Sequence, residues 1–438
     1  MIETIRNAWK IPDLRKKLMY TVLLLIVFRF GTVIPVPGIS TGALSSLFQL
    51  GGGGGTLFDL MDLMTGGALG NASIFAMGIT PYINASIIMQ LLTVAIPALE
   101  RLQKEGEEGR KVIAAYQRYG TVVLALIQAV GLYFLLKTGG GTQQAQSMLE
   151  STGFVPALTI VATFTAGTAF LMWLGEQITE KGVGNGISLI IFAGIVSRLP
   201  QMIYGLYQNT VLSGQWVTTL AVIVIGLAVL ALVVAMNEAE RRIPVQYAKR
   251  QVGRKTYGGQ STHIPIKVAA AGVIPIIFAM SIMSFPSTIS AFFGADKGTG
   301  WWAKVLSVLA PTHWFYGILY FLMILFFTYF YVAIQYNPIE MANNMKKNGG
   351  FIPGIRPGKP TIEFIMKVLN KITLGGAVFL GFIATFPIFM TQMSRQGVGI
   401  AGFSIGGTSL LIVVGVALET VKQIESQMLM RHYKGFLE

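Results

Sequence analysis

The sequence predicts an all-α integral membrane protein: ten transmembrane helices in two inverted halves of five, with one short re-entrant helix. Three observations lead to this prediction. Only 12% of the 438 residues are charged, about half the share in an ordinary soluble domain. Runs of about 20 uncharged residues recur, and each is long enough to cross a hydrocarbon core of about 30 Å as a helix. Lysine and arginine are abundant in every second connection between these runs.

Ten apolar segments lie along the chain. The first resembles a secretory signal sequence, but no small-residue cleavage site follows it, so we interpret it as a retained span. The chain has no cysteine and three histidines, so disulfides are excluded and we expect no metal centre and no cofactor. The predicted spans are centred on 18–34, 72–96, 115–136, 154–175, 184–206, 216–235, 267–290, 314–336, 371–392 and 404–421.

The basic residues predict the orientation. Of 33 Lys and Arg residues, 27 lie in the N-terminus, the even-numbered connections and the C-terminus, and five lie in the odd-numbered connections. The positive-inside rule then places both termini in the cytoplasm. Two of the cytoplasmic connections, 237–267 and 337–370, are long and basic. They either set orientation and touch anionic lipid, or they dock a large acidic surface such as ribosomal RNA or a partner protein.

The two predicted halves, 1–206 and 207–438, share one short match. "GITPYI" at 78–83 matches "GVIPII" at 272–277 in its glycine, its proline and its last isoleucine. Proline inside a helix removes a backbone hydrogen bond and kinks the helix, so we expect both spans to bend at the same depth. Broken spans at matching positions indicate a transport pathway. The alternative is a chance match, because glycine and proline are common in membrane helices.

The predicted pathway is nearly free of charge. The residues that follow Gly78 read "PYINASIIMQ", whereas a solute or ion transporter usually keeps carboxylates, histidines or arginines within its spans. A hydrophobic constriction blocks ions and water by dewetting. Arg29 is the one clear charge inside a predicted span, unless it snorkels to the outer interface.

A short helix is predicted between the first two spans, at 57–64. Glycines flank it at 51–55 and at Gly66 and Gly67, and two aspartates three residues apart share one of its faces. It is either a removable plug, buried in protein or lining a wet cavity at membrane depth, or an interfacial helix on the outer surface. Its residues are Leu57, Phe58, Asp59, Leu60, Met61, Asp62, Leu63 and Met64.

Several long motifs in this chain resemble those of the bacterial SecY family, the central subunit of the Sec protein-conducting channel. The resemblance covers nearly the whole chain. It is carried by "LIVFRFGTVIPVPGI" (25–39), "GGALGNASIFAMGITPYINASIIMQLL" (66–92), "WLGEQITEKGVGNGISLIIFAGI" (173–195), "RRIPVQYAKRQ", "QSTHIPIKVAAAGVIP", "FIPGIRPG" (351–358) and "GGTSLLIVVGVALE" (406–419).

The resemblance implies a translocase channel in the bacterial cytoplasmic membrane. Such a channel passes unfolded secretory chains across the membrane and releases transmembrane segments sideways into it. Residues 57–70 would be the plug, and a lateral gate between spans 2 and 3 and spans 7 and 8 would carry Asn84, Gln90 and Phe285. The implied pore ring is Ile79, Ile83, Ile191, Ile277 and Ile412, of which Ile83 and Ile277 also follow from the internal match.

The resemblance also implies partners: the SecE and SecG subunits, the SecA ATPase, the ribosome, preproteins that carry a signal sequence, and membrane lipids. The sequence has no P-loop motif, so we expect no direct nucleotide binding and a partner that supplies the energy. The implied contact residues for SecA or the ribosome, which are otherwise simply solvated, are Arg242, Lys249, Arg254, Lys255 and Arg356.

Three classes of function remain open at this stage. A protein-conducting channel needs no catalytic constellation, and the spans contain no clustered carboxylates and no Ser/His pair, so we do not expect an enzyme. A secondary transporter requires intramembrane charges and a concave ligand site. A membrane assembly scaffold requires no conductance in any state. Removing residues 57–64 separates them, because only a plugged channel then leaks ions.

Overall fold

The computed structural model describes residues 2–40, 62, 65–137, 149, 153–213, 216–247, 250–252, 255–257, 261–293, 304–305, 308–309, 313–395 and 407–434. As far as residue 213 the described chain is helical, with irregular segments between the helices. These helices are α1 (Ile2–Lys10), α2 (Pro12–Gly31), α3 (Thr80–Ala95), α4 (Pro97–Lys104), α5 (Glu107–Lys137), α6 (Phe154–Lys181), α7 (Gly186–Val196) and α8 (Leu199–Ser213).

The rest of the described chain contains strands as well as helices, in two basic segments that the sequence presents as connections. In chain order the elements are α9 (Trp216–Glu238), β1 (Glu240–Tyr247), β2 (Arg250–Val252), β3 (Lys255–Tyr257), β4 (Ser261–Lys267), α10 (Ile274–Phe293), α11 (Trp314–Gln335), α12 (Pro338–Lys347), β5 (Gly350–Phe351), α13 (Lys359–Arg395) and α14 (Gly407–Lys434).

Many of these helices have the length and apolar composition of membrane spans. Six described helical segments are long enough and apolar enough to cross a membrane. If the bent pair α3 and α4 is taken as one span, the number is seven. α4 turns away from α3 by 100° at Ile96. Each of the ten predicted spans overlaps a described helix. The predicted all-α membrane fold is confirmed, and the count of ten crossings stays a prediction.

Three predicted spans differ from the helices observed. The second and seventh begin later than expected, at Thr80 and at Ile274, because turns occupy the residues before them. The fifth is interrupted, since α7 ends at Val196 and α8 begins at Leu199. Apolar composition locates a span but not the residue at which a helix starts.

The two matched prolines start helices instead of kinking them, so the kink expected at Pro81 and Pro275 is wrong. Both lie in the first helical turn, where the missing N–H costs no hydrogen bond. Each follows a glycine with positive φ, 56° at Gly78 and 59° at Gly272, a conformation that glycine adopts without steric cost. The match therefore marks two equivalent points at which the chain turns and a helix begins.

One buried apolar cluster joins the two predicted halves. It contains Leu24, Phe75 and Leu174 from the first half and Ile276, Ile324 and Ile383 from the second. α10 packs against α3 and α5, while α14 packs against α7 and α9. A shared core of this kind places residues from both halves around the same central region.

The two long basic connections fold together into one unit, which the sequence analysis did not predict. β1 pairs with β4 along its length and with β5 at its end, giving the strand order β4-β1-β5. α12 and the start of α13 pack beneath this sheet around a core of their own, formed by Ile243, Val245, Ile266, Ala342, Met345, Ile352, Ile365 and Leu369. We call this unit the β-platform. The two connections therefore form one folded unit rather than two separate loops.

Gly167 allows α6 to approach the segment that precedes α3. A Cβ atom there would overlap the carbonyl oxygen of Ile74 and contact the ring of Phe75, whereas a Cβ at Gly226 in α9 would meet nothing within 4 Å. We therefore expect Gly167→Ala to lower the free energy of unfolding by about 1 to 3 kcal/mol, the usual cost of overpacking. Thermal unfolding in detergent measures the effect. Gly226→Ala is the matched control, and equal unfolding midpoints for the two variants would contradict the close approach.

Candidate functional site

The isoleucines predicted to form a pore ring lie around the central cluster. Ile79, Ile83, Ile191 and Ile412 are buried members of it, and the partly buried Ile277 packs against it. Ile79 is the N-cap residue of α3, with Ile83 one turn later, and Ile191 lies in the middle of α7. Ile277 is in the first turn of α10, and Ile412 is near the start of α14. The five residues thus come from four helices and from both halves.

A cavity of about 370 Å³ opens on one side of these isoleucines. Ile83, Ile191 and Ile277 line it, together with polar residues that include Ser86, Asn185 and Ser188. The lining also contains an ion pair, in which Arg118 Nε donates to Glu176 Oε1 over 2.7 Å. The cavity thus combines polar and charged side chains with three of the predicted ring isoleucines.

Three of these isoleucines, Ile79, Ile83 and Ile191, also border a tightly filled side of the first half. The space among Phe28, Thr65, Ile79, Ile83 and Ile191 measures about 10 Å³, close to the minimum that holds one water molecule. Its lining is mostly apolar, so a water molecule there would lack the polar partners it needs. This space therefore has room for about one water molecule at most and few polar groups to bind it.

Residues 65–70, the described end of the predicted plug, lie against this filled side. Thr65 lines the narrow space, and its Oγ1 donates to the backbone oxygen of Asp62 over 3.1 Å. Asp62 is the one described residue of the predicted plug helix at 57–64, whose other members lie outside the described residues. The residue is 3% exposed, and its side chain pairs with Arg198. The predicted aspartate face is thus buried in protein at Asp62.

Arg29, whose partner the sequence left open, contacts the same segment. Its Nη1 donates to the carbonyl oxygen of Gly66 over 2.7 Å and to Thr32 Oγ1 over 3.2 Å. Arg29 is exposed near the end of α2. It therefore satisfies a backbone carbonyl at the turn that follows the predicted plug helix.

The residues predicted for the lateral gate lie on two neighbouring helices. Asn84 is buried in α3, and its Oδ1 has no hydrogen-bond partner within the described part of the chain. Gln90, on the same helix, and Phe285 in α10 are partly buried. α3 and α10 pack against each other. The structure therefore brings together the helices on which the gate residues lie, and the role of these side chains stays a prediction.

The predicted contact residues divide between the β-platform and undescribed positions. Arg242 is exposed on β1 and pairs with Glu240. Arg356 is exposed in the turn before α13, where its carbonyl accepts a hydrogen bond from Thr361. Lys255 begins β3, and Lys249 and Arg254 lie outside the described residues. Two arginines from separate connections are thus carried by one folded unit.

Comparison with known proteins identifies the family. The SecY family model matches residues 73–421. The chain belongs to the SecY family. Proteins named "Protein translocase subunit SecY" are 47% identical in Streptomyces scabiei and 46% identical in Bacillus subtilis, and each alignment covers all of both chains. The predictions of this family and of a protein translocase are confirmed.

Solved structures of similar fold agree with this assignment. The structure titled "The structure of a protein conducting channel" covers 97% of both chains with a TM-score of 0.66 at 20% identity. A second, whose title states that the plug domain of the SecY protein stabilises the closed state of the translocation channel, has a TM-score of 0.65 at 19% identity. The Sec61 channel of the canine ribosome-channel complex has a TM-score of 0.62 at 20% identity. Because these sequence identities are 20% or lower, the similarity to the three solved structures establishes the fold alone.

The sequence analysis did not predict two features of this SecY-family protein. The pairing of Asp62 with Arg198 joins residues 136 positions apart, and nothing in the local sequence signals it. The strands of the β-platform were predictable in part. "ERRIPVQY" and "STHIPIK" each contain alternating apolar and polar residues, a pattern that predicts a β-strand.

The β-platform yields a test based on two adjacent residues of β1. Val245 is fully buried in its core, and Gln246 is exposed on the opposite face. We expect Val245→Asp to unfold the platform, because a buried unpaired carboxylate costs several kcal/mol. Limited proteolysis of membranes should then cleave 237–267 and 337–370 rapidly. Gln246→Asp should leave both connections protected, and equal cleavage in the two variants would contradict a common core.

Proposed function

We propose that this chain is the pore subunit through which a translocase passes unfolded polypeptides, with the five isoleucines as its seal and residues 57–70 as its plug. An apolar cluster to which isoleucines of both halves contribute, with a cavity of about 370 Å³ against it, carries the proposal. Stiff β-branched side chains close around a moving chain and offer it no hydrogen bond. The ring therefore seals without binding.

The proposal includes a sideways exit and a membrane orientation. The exit lies between α3 and α5 on one side and α10 and α11 on the other. α10 supports this placement, because it contacts α3 and α5 as well as α11. Side-chain hydrogen bonds between membrane helices contribute about 1 kcal/mol or less, so polar residues such as Asn84 form a reversible closure. Both termini face the cytoplasm of a bacterial inner membrane, as the distribution of basic residues supports.

We further propose that the β-platform is the docking surface for the driving partner, either SecA or the ribosome, within an assembly that includes SecE and SecG. Arg242 and Arg356 are exposed on it, and the sequence has a net charge of +14. The ribosome is supported as a class of partner because two structures of similar fold are titled as complexes with a ribosome. The partner provides the energy, and the chain provides the path.

The seal can be tested through its equivalent members Ile83 and Ile277. Replacing both with glycine removes two branched side chains from the constriction, so water enters and the dewetting barrier falls. We expect a clear rise in ion conductance of vesicles or planar bilayers containing the double variant. Removing residues 57–64 should raise conductance as well. Conductance equal to that of the unmodified chain in both variants would exclude a sealed channel and favour a scaffold.

The docking surface can be tested by reversing the charge of Arg356. Arg356→Glu places a carboxylate where an acidic partner surface binds, and like charges in an interface cost several kcal/mol. We expect SecA-driven export in reconstituted vesicles to fall at least tenfold, while the variant still inserts into the membrane. Lys104→Glu, on the exposed face of α4, is the control. Normal export by Arg356→Glu would refute the assignment.

A further inference from the structure

An ion pair ties the described residues of the predicted plug (62 and 65–70, here called the plug segment) to Arg198, two residues beyond the end of α7. Nη2 of Arg198 donates to Oδ2 of Asp62, and the backbone N–H of Gly70 donates to Oδ1 over 2.7 Å. Both carboxylate oxygens are therefore bonded while the Asp62 side chain is 4% exposed. A carboxylate buried in this way is stable only while its partners remain, since an unpaired buried charge is costly.

Glycines bring the same segment into backbone contact with α7. A Cβ at Gly66 would lie 2.9 Å from Gly194 Cα and 3.0 Å from Ser197 Oγ, and a Cβ at Gly67 would lie 3.3 Å from Nη2 of Arg198. Gly66 and Gly67 have φ of 69° and 90°, values that glycine adopts readily. The segment thus rests directly on the last turn of α7 and on the residues that follow it.

The same helix carries a residue of the proposed ring. Ile191 lies three residues before Gly194 and seven before Arg198, and α7 is continuous from Gly186 to Val196. A helix of 11 residues is about 16 Å long and moves as a unit. Ser197 and Arg198 follow the helix, and their backbone N–H groups donate to the carbonyl oxygens of Ala193 and Ile195 over 3.0 and 3.1 Å. Displacing Ile191 to admit a chain therefore also displaces the groups that hold the plug segment.

The ion pair between Asp62 and Arg198 is open enough to water to separate and re-form. The Arg198 side chain is 25% exposed, so its guanidinium reaches water once the pair opens. Its Nε has no hydrogen-bond partner within the described part of the chain, which leaves the guanidinium held through Nη2 rather than by a two-pronged clamp. A bidentate pair would hold the segment more tightly and release it less readily.

We propose that Asp62 and Arg198 form an electrostatic latch through which α7 couples opening of the isoleucine ring to release of the plug. The inference rests on the proposed function, in which residues 57–70 close the channel. Asp62 and Arg198 are positioning residues, because they act on the pore through the segment they hold. The latch sets how much binding energy a signal sequence must supply before the channel opens.

The latch is tested by a double-mutant cycle read as ion conductance. Asp62→Asn and Arg198→Gln each remove one charge, so we expect each to raise the frequency of open events about tenfold or more. The double variant should open no more often than the more leaky single variant, because the interaction is already lost. Lys104→Gln breaks an exposed ion pair with Glu100 and should leave conductance unchanged.

The outcomes separate the latch from the channel. Should both single variants conduct as the unmodified chain does while Ile83→Gly with Ile277→Gly leaks, the latch is refuted and the channel stands. Single effects that multiply in the double variant would also refute the latch, because the two residues would then act independently. Absence of leak in the ring variant as well would refute the channel itself.

A disulfide tests the coupling without removing the ion pair. A Cβ at Gly66 would lie 3.0 Å from Ser197 Oγ, roughly the distance from a Cβ to the partner sulfur across a disulfide. The chain has no cysteine, so Gly66→Cys with Ser197→Cys introduces the two thiols of a single bridge. Because a Cβ at Gly66 also comes within 2.9 Å of Gly194 Cα, the segment must shift slightly, and the reduced double variant is the reference. Relative to it we expect oxidation to stop preprotein export and reduction to restore it, with no effect of oxidant on either single variant. Export that continues with the bridge formed would overturn the coupling.

Discussion

The apolar packing of isoleucines from both halves in one buried cluster is the interaction on which the rest of this structure depends. A space of about 10 Å³ borders Ile79, Ile83 and Ile191, and a cavity of about 370 Å³ is lined by Ile83, Ile191 and Ile277. In the proposed channel an apolar ring at this point excludes ions, because water does not enter it. In the same proposal the absence of polar groups lets a polypeptide slide through, since no bond to the ring must break.

The backbone around the ring is arranged to keep its polar groups satisfied at this depth. α3 and α10 start beside the ring with a positive-φ glycine and a first-turn proline, so the chain turns inside the protein without losing a helical hydrogen bond. Arg29 donates a hydrogen bond to the Gly66 carbonyl oxygen, and the Asp62 carboxylate accepts one from the N–H of Gly70. Irregular backbone at membrane depth requires such partners, and here they fix residues 62 and 65–70, part of the proposed plug, against the rest of the protein.

Much of the architecture was predictable because apolar length and basic charge act locally. The ten apolar segments all overlap helices, and the match between Gly78 and Gly272 marks two real helix starts. The kink was mispredicted because a proline has opposite effects in the first turn and in the interior of a helix, and composition does not say which applies. The pairing of Asp62 with Arg198 and the common core of the β-platform depend on tertiary contacts between distant residues, which a single sequence does not reveal.

The path of the translocating chain is the most direct test of the central claim. A photoreactive phenylalanine analogue placed at Ile83, at Ile412 or at Leu227 reports which of these positions touches a preprotein arrested midway across the membrane. Leu227 is exposed on α9, away from the central cluster. The account predicts cross-links from Ile83 and Ile412, one in each half, and none from Leu227. Cross-links from Leu227 with none from either isoleucine would contradict a path between the two halves.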